Sequence, residues 1–208
     1  MSRLRLVVIT DEDLAGKRSL HGVVDSALRG GAPAIQVRAK QAGSDELFEL
    51  AGCLAASIRA AGALLLVNDR LDVALAVGAD GVHLGPDDLP VAAARRAAPE
   101  GFLVGYSTDD AEVARRAVEA GADYIGCGAV YPTTNKADAG EAIGLEGLRS
   151  VVEAVDVPVV GIGGITPERA AQVAATGAAG CAVIGAVMSA SDPEVAAREL
   201  LEAFEGGG

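Results

Sequence analysis

Four times along the chain a stretch of helical periodicity closes on Gly-Ala and a short apolar run follows at once. The pairs are Gly31-Ala32, Gly78-Ala79, Gly121-Ala122 and Gly177-Ala178. Glycine just past a helix end takes the left-handed conformation at little cost, so the recurrence has a physical cause. The pairs precede the second, fourth, sixth and eighth apolar runs, dividing the chain into quarters of two strands each. A doubly wound open sheet has no reason to keep that regularity, whereas a closed barrel of eight strands does.

The rest of the chain agrees. Apolar runs fall at 4–9, at 34–37, before Asn68, before Gly85, and at 102–104, 123–127, 157–161 and 181–184. Parallel strands buried on both faces have this unbroken character. Helical spacing occupies 20–29, 44–61, 71–77, 89–98, 109–120, 145–155, a stretch from Pro167 that closes at Gly177, and 193–204. Ser44-Asp45-Glu46 is a helix start, and Thr166-Pro167 offers an N-cap with proline at the first helical position. Strand-helix alternation implies right-handed crossovers and a parallel sheet. We therefore expect residues 1–208 to form one domain of the α/β class, a single (β/α)8 TIM barrel near the short end for that fold.

Composition removes several classes of function. A net charge of −12 argues against a nucleic-acid or anionic-membrane surface. Half the residues are hydrophobic and only 3% aromatic, so Ala, Val, Leu and Ile must fill the core. No apolar run approaches the ~20 residues of a spanning helix, and residues 1–10 enter a strand pattern rather than a charged-then-apolar leader. Cys53, Cys127 and Cys181 are odd in number and lack metal-site spacing, which fits buried thiols in a reducing cytoplasm. A soluble cytoplasmic protein is expected, with a homo-oligomer left open.

In a parallel barrel every strand ends at one rim, and ligands bind there. The strand ends here supply Gln36, Arg38 and Lys40; Asn68 and Asp69; Asp88; Ser107 and Thr108; Thr133, Thr134, Asn135 and Lys136; Gly163 and Gly164; and Gly185. Asp69 and Asp88 beside the Asn68 amide suit a hard cation such as Mg²⁺, which takes one or two carboxylates and completes its shell with water and substrate phosphate. The plainer alternative is that Asn68-Asp69 turns the chain and Asp87-Asp88 caps the next helix. Glycines after the seventh and eighth strands let the backbone approach a phosphate. Two such regions on one rim point to two phosphorylated substrates, or to one phosphorylated at both ends. No Ser-His-Asp or Cys-His constellation is present. His21 is expected on a helix surface, and His83 to have a structural role within its strand.

Taken in order, Gln36-Val37-Arg38-Ala39-Lys40, Asn68-Asp69-Arg70, Gly81-Val82-His83-Leu84-Gly85 with Asp88, Gly105-Tyr106-Ser107-Thr108, Tyr131-Pro132-Thr133-Thr134-Asn135-Lys136 and Gly161-Ile162-Gly163-Gly164-Ile165-Thr166 resemble thiamine-phosphate synthases over essentially the whole chain. The resemblance implies a transferase that joins a hydroxymethylpyrimidine diphosphate to a thiazole phosphate and releases diphosphate. It implies that Gln36 contacts the pyrimidine and that Arg38, Lys40, Asn68, Ser107 and Lys136 contact the diphosphate. Arg38, Lys40, Ser107 and Lys136 are then the expected catalytic groups, with Asp69 and Asp88 holding Mg²⁺. Thr133, Asn135, Gly164, Ile184 and Gly185 are expected to bind the thiazole phosphate. The attacking nitrogen has no proton to lose, so no general base is needed, and the aminopyrimidine can support a cation in a dissociative path.

Three positions depart from the family pattern. Ala39 stands where Glu is usual, Asn135 replaces the second Thr of its loop, and Gly185 lacks a common Ser hydroxyl. Backbone donors survive the last two changes, so altered affinity is expected more than lost activity. Two other readings stay open. One is an isomerase like the related thiazole tautomerase, whose catalytic His would fall where this chain has Ser107-Thr108-Asp109-Asp110. The other is a non-catalytic binder of phosphorylated ligands. The polar stretch 132–144 is expected to act as a lid.

Overall fold

A computed structural model describes residues 2–133 and 141–207. Eight strands close into one parallel barrel in chain order: β1 (Leu6–Ile9), β2 (Ala34–Val37), β3 (Leu64–Asn68), β4 (Gly81–Leu84), β5 (Leu103–Ser107), β6 (Tyr124–Cys127), β7 (Val159–Ile162) and β8 (Gly180–Val183). The ring shuts where Val7 of β1 faces Ala34 on one side and Ala182 on the other. Closure leaves no unpaired sheet edge. The four Gly-Ala glycines all have positive φ, between 64° and 103°, as a helix terminator requires.

Around the barrel run α1 (Glu12–Ala15), α2 (Leu20–Arg29), α3 (Ser44–Ala60), α4 (Leu71–Ala76), α5 (Val91–Ala97), α6 (Ala111–Glu119), α7 (Gly144–Ala154), α8 (Pro167–Ala174), α9 (Gly185–Met188) and α10 (Pro193–Glu205). Side chains alternate across a strand. Val7, Ile9, Gln36, Asn68, His83 and Ser107 line the barrel mouth. Their neighbours Leu6, Val8, Ile35, Leu65, Val67 and Val82 therefore face the helix layer, where all are fully buried. Each contributes about 2 kcal/mol of burial.

Several expectations change. The one-turn helices α1 and α9 are too short for periodicity to reveal. β7 begins after Pro158, whose carbonyl accepts from Ile125 N at 2.9 Å; proline cannot donate to a ladder. β5 runs on through Gly105-Tyr106-Ser107 instead of ending at 104. Gly105 is not a breaker there, because a Cβ on it would lie 2.1 Å from Tyr124 Cζ. Thr166 does not cap α8 with its side chain; its hydroxyl donates to Glu168 Oε2 at 2.6 Å. Cys53 is exposed on α3, against the expectation of three buried thiols, while Cys127 and Cys181 are buried. No helix among the described residues is long and apolar enough to cross a membrane.

Candidate active site

The strand ends deliver their side chains through particular local devices. Thr10, fully buried just past β1, holds the backbone of Arg38 by both faces. Its hydroxyl accepts from Arg38 N at 2.9 Å and donates to Arg38 O at 3.2 Å. The Arg38 guanidinium stands 3.8 Å from the Asp11 carboxylate. Neither Thr10 nor Asp11 was singled out from the sequence, where they end an apolar run like any other polar pair.

Asp69 has φ +63°, the one positive value outside glycine among the described residues. Aspartate tolerates this region better than most side chains. Asp69 N donates to His83 O at 2.8 Å and Arg70 N to Asn68 O at 2.7 Å, so the chain doubles back as soon as β3 ends. Asp88 does not cap a helix, since α5 starts at Val91 with Pro90 before it. Its Oδ2 accepts from Gly85 N at 2.7 Å, which folds the loop after β4 toward Asp69. The two carboxyls come within hydrogen-bond reach of one another. Burial, then the hydrogen bond and charge of Asp88, push the Asp69 carboxyl up to about 6, while Lys40 and Arg38 pull the other way. A carboxyl whose proton affinity is raised by burial and by a second acid beside it forms a place for a cation, and the positive-φ turn maintains it.

Two cavities adjoin at this mouth. The smaller, about 280 Å³, is lined by Arg38, Lys40, Asn68, Asp69, His83, Gly85, Pro86, Asp87, Asp88 and Ser107. The larger, about 430 Å³, shares Arg38, Asn68, His83, Pro86 and Ser107 with it and adds Gln36, Tyr106, Asp109, Ile162 and Ile184 among others. Gln36 is 3% exposed, which places a buried amide in the wall of the larger cavity. A cation-bearing polar chamber therefore opens onto a roomier, mostly apolar one. Among the described residues no group of three or more His, Cys, Asp or Glu side chains is placed to hold a metal. A paired carboxylate still fits Mg²⁺, which keeps several waters and borrows phosphate oxygens.

Gln36, Arg38, Lys40, Asn68, Asp69, Asp88 and Ser107 are thus gathered at one mouth, and Ile184 joins them on the wall of the larger cavity. Gly185 begins α9 beside it. Gly164 sits behind the segment after β6: a Cβ there would lie 2.7 Å from Pro132 O and 2.8 Å from Tyr131 Cβ. Its glycine is needed for packing at a positive φ of 62°. Thr133 is described, but Thr134, Asn135 and Lys136 lie outside the described residues, as does most of the expected lid at 132–144. His83 is more than a strand filler. Its Nε2 is 2.8 Å from Ser107 Oγ and its Nδ1 is 2.9 Å from the Tyr124 hydroxyl. The alternation of β4 carried the signal, since it puts His83 on the same face as the mouth residues.

The profile of the family described as thiamine monophosphate synthase matches residues 6–187. The chain belongs to the thiamine monophosphate synthase family. Its likeness to members extends over nearly its whole length. It is 50% identical over 200 residues to a thiamine-phosphate synthase of Methanoregula boonei, covering 96% of this chain and 93% of the other. It is also 50% identical over 206 residues to one from Archaeoglobus fulgidus, at 97% and 96% coverage. The solved structure of a thiamine phosphate pyrophosphorylase from Pyrococcus furiosus superposes with a TM-score of 0.90 at 47% identity, covering 99% of this chain and 97% of that one. Membership in the thiamine monophosphate synthase family bears on the polar mouth directly. A transferase with an anionic leaving group needs cationic groups gathered where that group departs, and Arg38 and Lys40 share one chamber at this rim.

Proposed function

We propose that residues 1–208, as one domain, transfer a hydroxymethylpyrimidine unit from its diphosphate to the ring nitrogen of a thiazole phosphate, giving thiamine phosphate and diphosphate. Family membership and the relatives' names support thiamine phosphate synthesis. The observation that carries the site assignment is the Asp69–Asp88 carboxyl pair facing Arg38 and Lys40 in one chamber. Asp69 and Asp88 would hold Mg²⁺, which when bound supplies positive charge to the diphosphate oxygens.

In this reading the chamber takes the diphosphate and the larger cavity takes the two rings. Arg38, Lys40, Asn68, Ser107 and Lys136 grip the diphosphate, and Gln36 hydrogen-bonds the pyrimidine. Thr133, Asn135, Gly164, Ile184 and Gly185 receive the thiazole phosphate, largely through backbone N–H groups. The C–O bond of the pyrimidine methylene breaks with its electron pair going to the diphosphate, and the aminopyrimidine carries the cation left behind. The thiazole nitrogen lone pair then forms the new C–N bond, and no proton is lost. Cationic and hydroxyl donors tighten as charge builds on the leaving oxygen, so they stabilise the transition state more than the bound substrate. The partners are small phosphorylated molecules, and a cytoplasmic setting suits them.

Both substrates should be incubated with the protein in Mg²⁺ and in EDTA, with thiamine phosphate measured. Metal-dependent product is expected. Substrate binding without product under every condition would overturn the assignment in favour of a binding protein.

A further inference from the structure

We propose that Tyr124 is a positioning residue for the leaving group: it fixes the His83 imidazole in the tautomer that turns the Ser107 hydroxyl proton toward the diphosphate. The inference rests on the reading above, in which Ser107 is a diphosphate ligand.

Three polar side chains form a chain from the barrel interior to the mouth. The Tyr124 hydroxyl is 2.9 Å from His83 Nδ1, and His83 Nε2 is 2.8 Å from Ser107 Oγ. A neutral imidazole has one donor nitrogen and one acceptor, so the direction of one hydrogen bond sets that of the other. Tyr124 decides it. Its residue is 2% exposed, and among the described residues its hydroxyl pairs with His83 Nδ1 alone. If Nδ1 carried the proton, the tyrosine proton would be buried without an acceptor, which is costly. The hydroxyl therefore donates and Nδ1 accepts. Burial also holds the phenol well above its ordinary pKa, so it keeps the proton that it donates. Nε2–H then donates to Ser107 Oγ. The Ser107 proton is not consumed by the ring, and it is available to the chamber that Ser107 shares with Arg38 and Lys40.

The barrel makes room for this chain at two glycines. A Cβ on Gly105 would lie 2.1 Å from Tyr124 Cζ, and one on Gly126 would lie 2.9 Å from His83 Cε1. The two rings meet with centroids 5.4 Å apart and planes tilted by 32°. A phenylalanine at 124 would fill the same space, so packing alone does not account for the hydroxyl.

The test combines the tautomer with kinetics. Protein carrying ¹⁵N-labelled histidine gives ring signals from only His21 and His83, and a His21→Gln variant assigns them. The wild type is expected to show His83 protonated at Nε2, and Tyr124→Phe to show the Nδ1–H form gaining population. For thiamine phosphate formation, Tyr124→Phe is expected to lower kcat about 10-fold, part of the effect of losing a whole oxyanion donor, with both KM values within about twofold. Ser107→Ala and Ser107→Ala/Tyr124→Phe should turn over at the same rate, because the tyrosine acts only through the serine. Wild-type His83 protonated at Nδ1 overturns the proposal without any variant having to fold. So does a further 10-fold loss on adding Tyr124→Phe to Ser107→Ala. Absence of thiamine phosphate from the wild type would overturn the reaction assignment instead, with the tautomer still deciding the hydrogen-bond chain.

Discussion

Replacing Asp88 with Asn should make the metal-free protein more stable and the enzyme far slower. The Asp69 carboxyl is pushed from 3.8 to about 6, by burial first and then by the hydrogen bond and charge of Asp88. Asp69 therefore keeps its proton to a higher pH in the folded chain than in the unfolded one. The folded chain holds it in a range where the unfolded chain has released it. The contribution to stability is therefore fully present below about pH 4, falls as pH rises through about 6, and leaves the whole penalty standing at neutral pH. About two pKa units correspond to ~3 kcal/mol, and solvent screening at a half-exposed group reduces that to ~1 kcal/mol. Asp88→Asn removes the neighbouring charge but keeps an oxygen for Gly85 N. The burial part of the penalty stays, so about half is relieved, and in EDTA at pH 7.5 the Tm should rise by about 1–2 °C for a chain of this size. At pH 5, where the wild-type pair already carries its proton, the gain should nearly vanish. Turnover in Mg²⁺ should fall ~10²-fold, as when other electrostatic stabilisers are lost. Calorimetry at the two pH values with a turnover assay measures all three effects. An equal Tm gain at both pH values, or a lower Tm at pH 7.5, would refute the argument.

Other perturbations address separate parts of the molecule. Gly105→Ala drives a methyl into Tyr124 and should cost about 3 kcal/mol by overpacking; an unchanged urea midpoint would show that the ring has somewhere to go. Thr10→Val keeps the shape but loses both hydrogen bonds to the Arg38 backbone. It should cost about 2 kcal/mol of stability and raise KM for the pyrimidine diphosphate several-fold, and unaltered binding would separate Thr10 from the site. Arg169 lies 4.5 Å from the centre of the Tyr131 ring and donates to Gly164 O at 2.6 Å. Arg169→Ala should lose about 1 kcal/mol of cation–π contact and raise KM for the thiazole phosphate several-fold, leaving that for the diphosphate unchanged. Equal changes in the two constants would argue for a general loosening of the rim.

Much of this molecule was legible because its constraints are local and repeat. The Gly-Ala helix terminators fix the quarter spacing through backbone conformation alone, and unbroken apolar runs mark strands covered on both sides. Residues at strand ends could be placed on one rim by topology, without any knowledge of side-chain direction, so Arg38, Lys40, Asn68, Asp69 and Asp88 could be grouped early. What stayed hidden depends on contacts distant in sequence. Gly105 looks like a breaker until the Tyr124 ring is seen to occupy its side-chain space. Thr10 lies 28 positions from Arg38, the residue it holds, and nothing near it in the chain marks the pairing. His83 needed the alternation of β4 to be followed one residue further, and Ser107 and Tyr124, which its ring meets, come from two other strands. α9 was missed because a four-residue helix has no period to detect.

Charge explains why the acids and the cations sit together. The chain carries −12 overall and in the proposed reaction would admit a diphosphate, so long-range attraction cannot recruit it and a local potential must. Arg38 and Lys40 alone would supply that potential, but two bare cations in a half-buried chamber would each bear a desolvation cost. Asp69 and Asp88 offset them, and their mutual repulsion, visible in the raised proton affinity of Asp69, leaves the pair short of positive charge. With Asp87 also on its wall, the chamber sets three acids against two bases, so an entering anion calls for a further cation. In the proposed reaction the carboxylates would hold a divalent ion that supplies positive charge to the diphosphate, without requiring a preformed protein cage. In the proposed reaction, the Asp69–Asp88 pair opposite Arg38 and Lys40 would make the metal and the diphosphate dependent on each other.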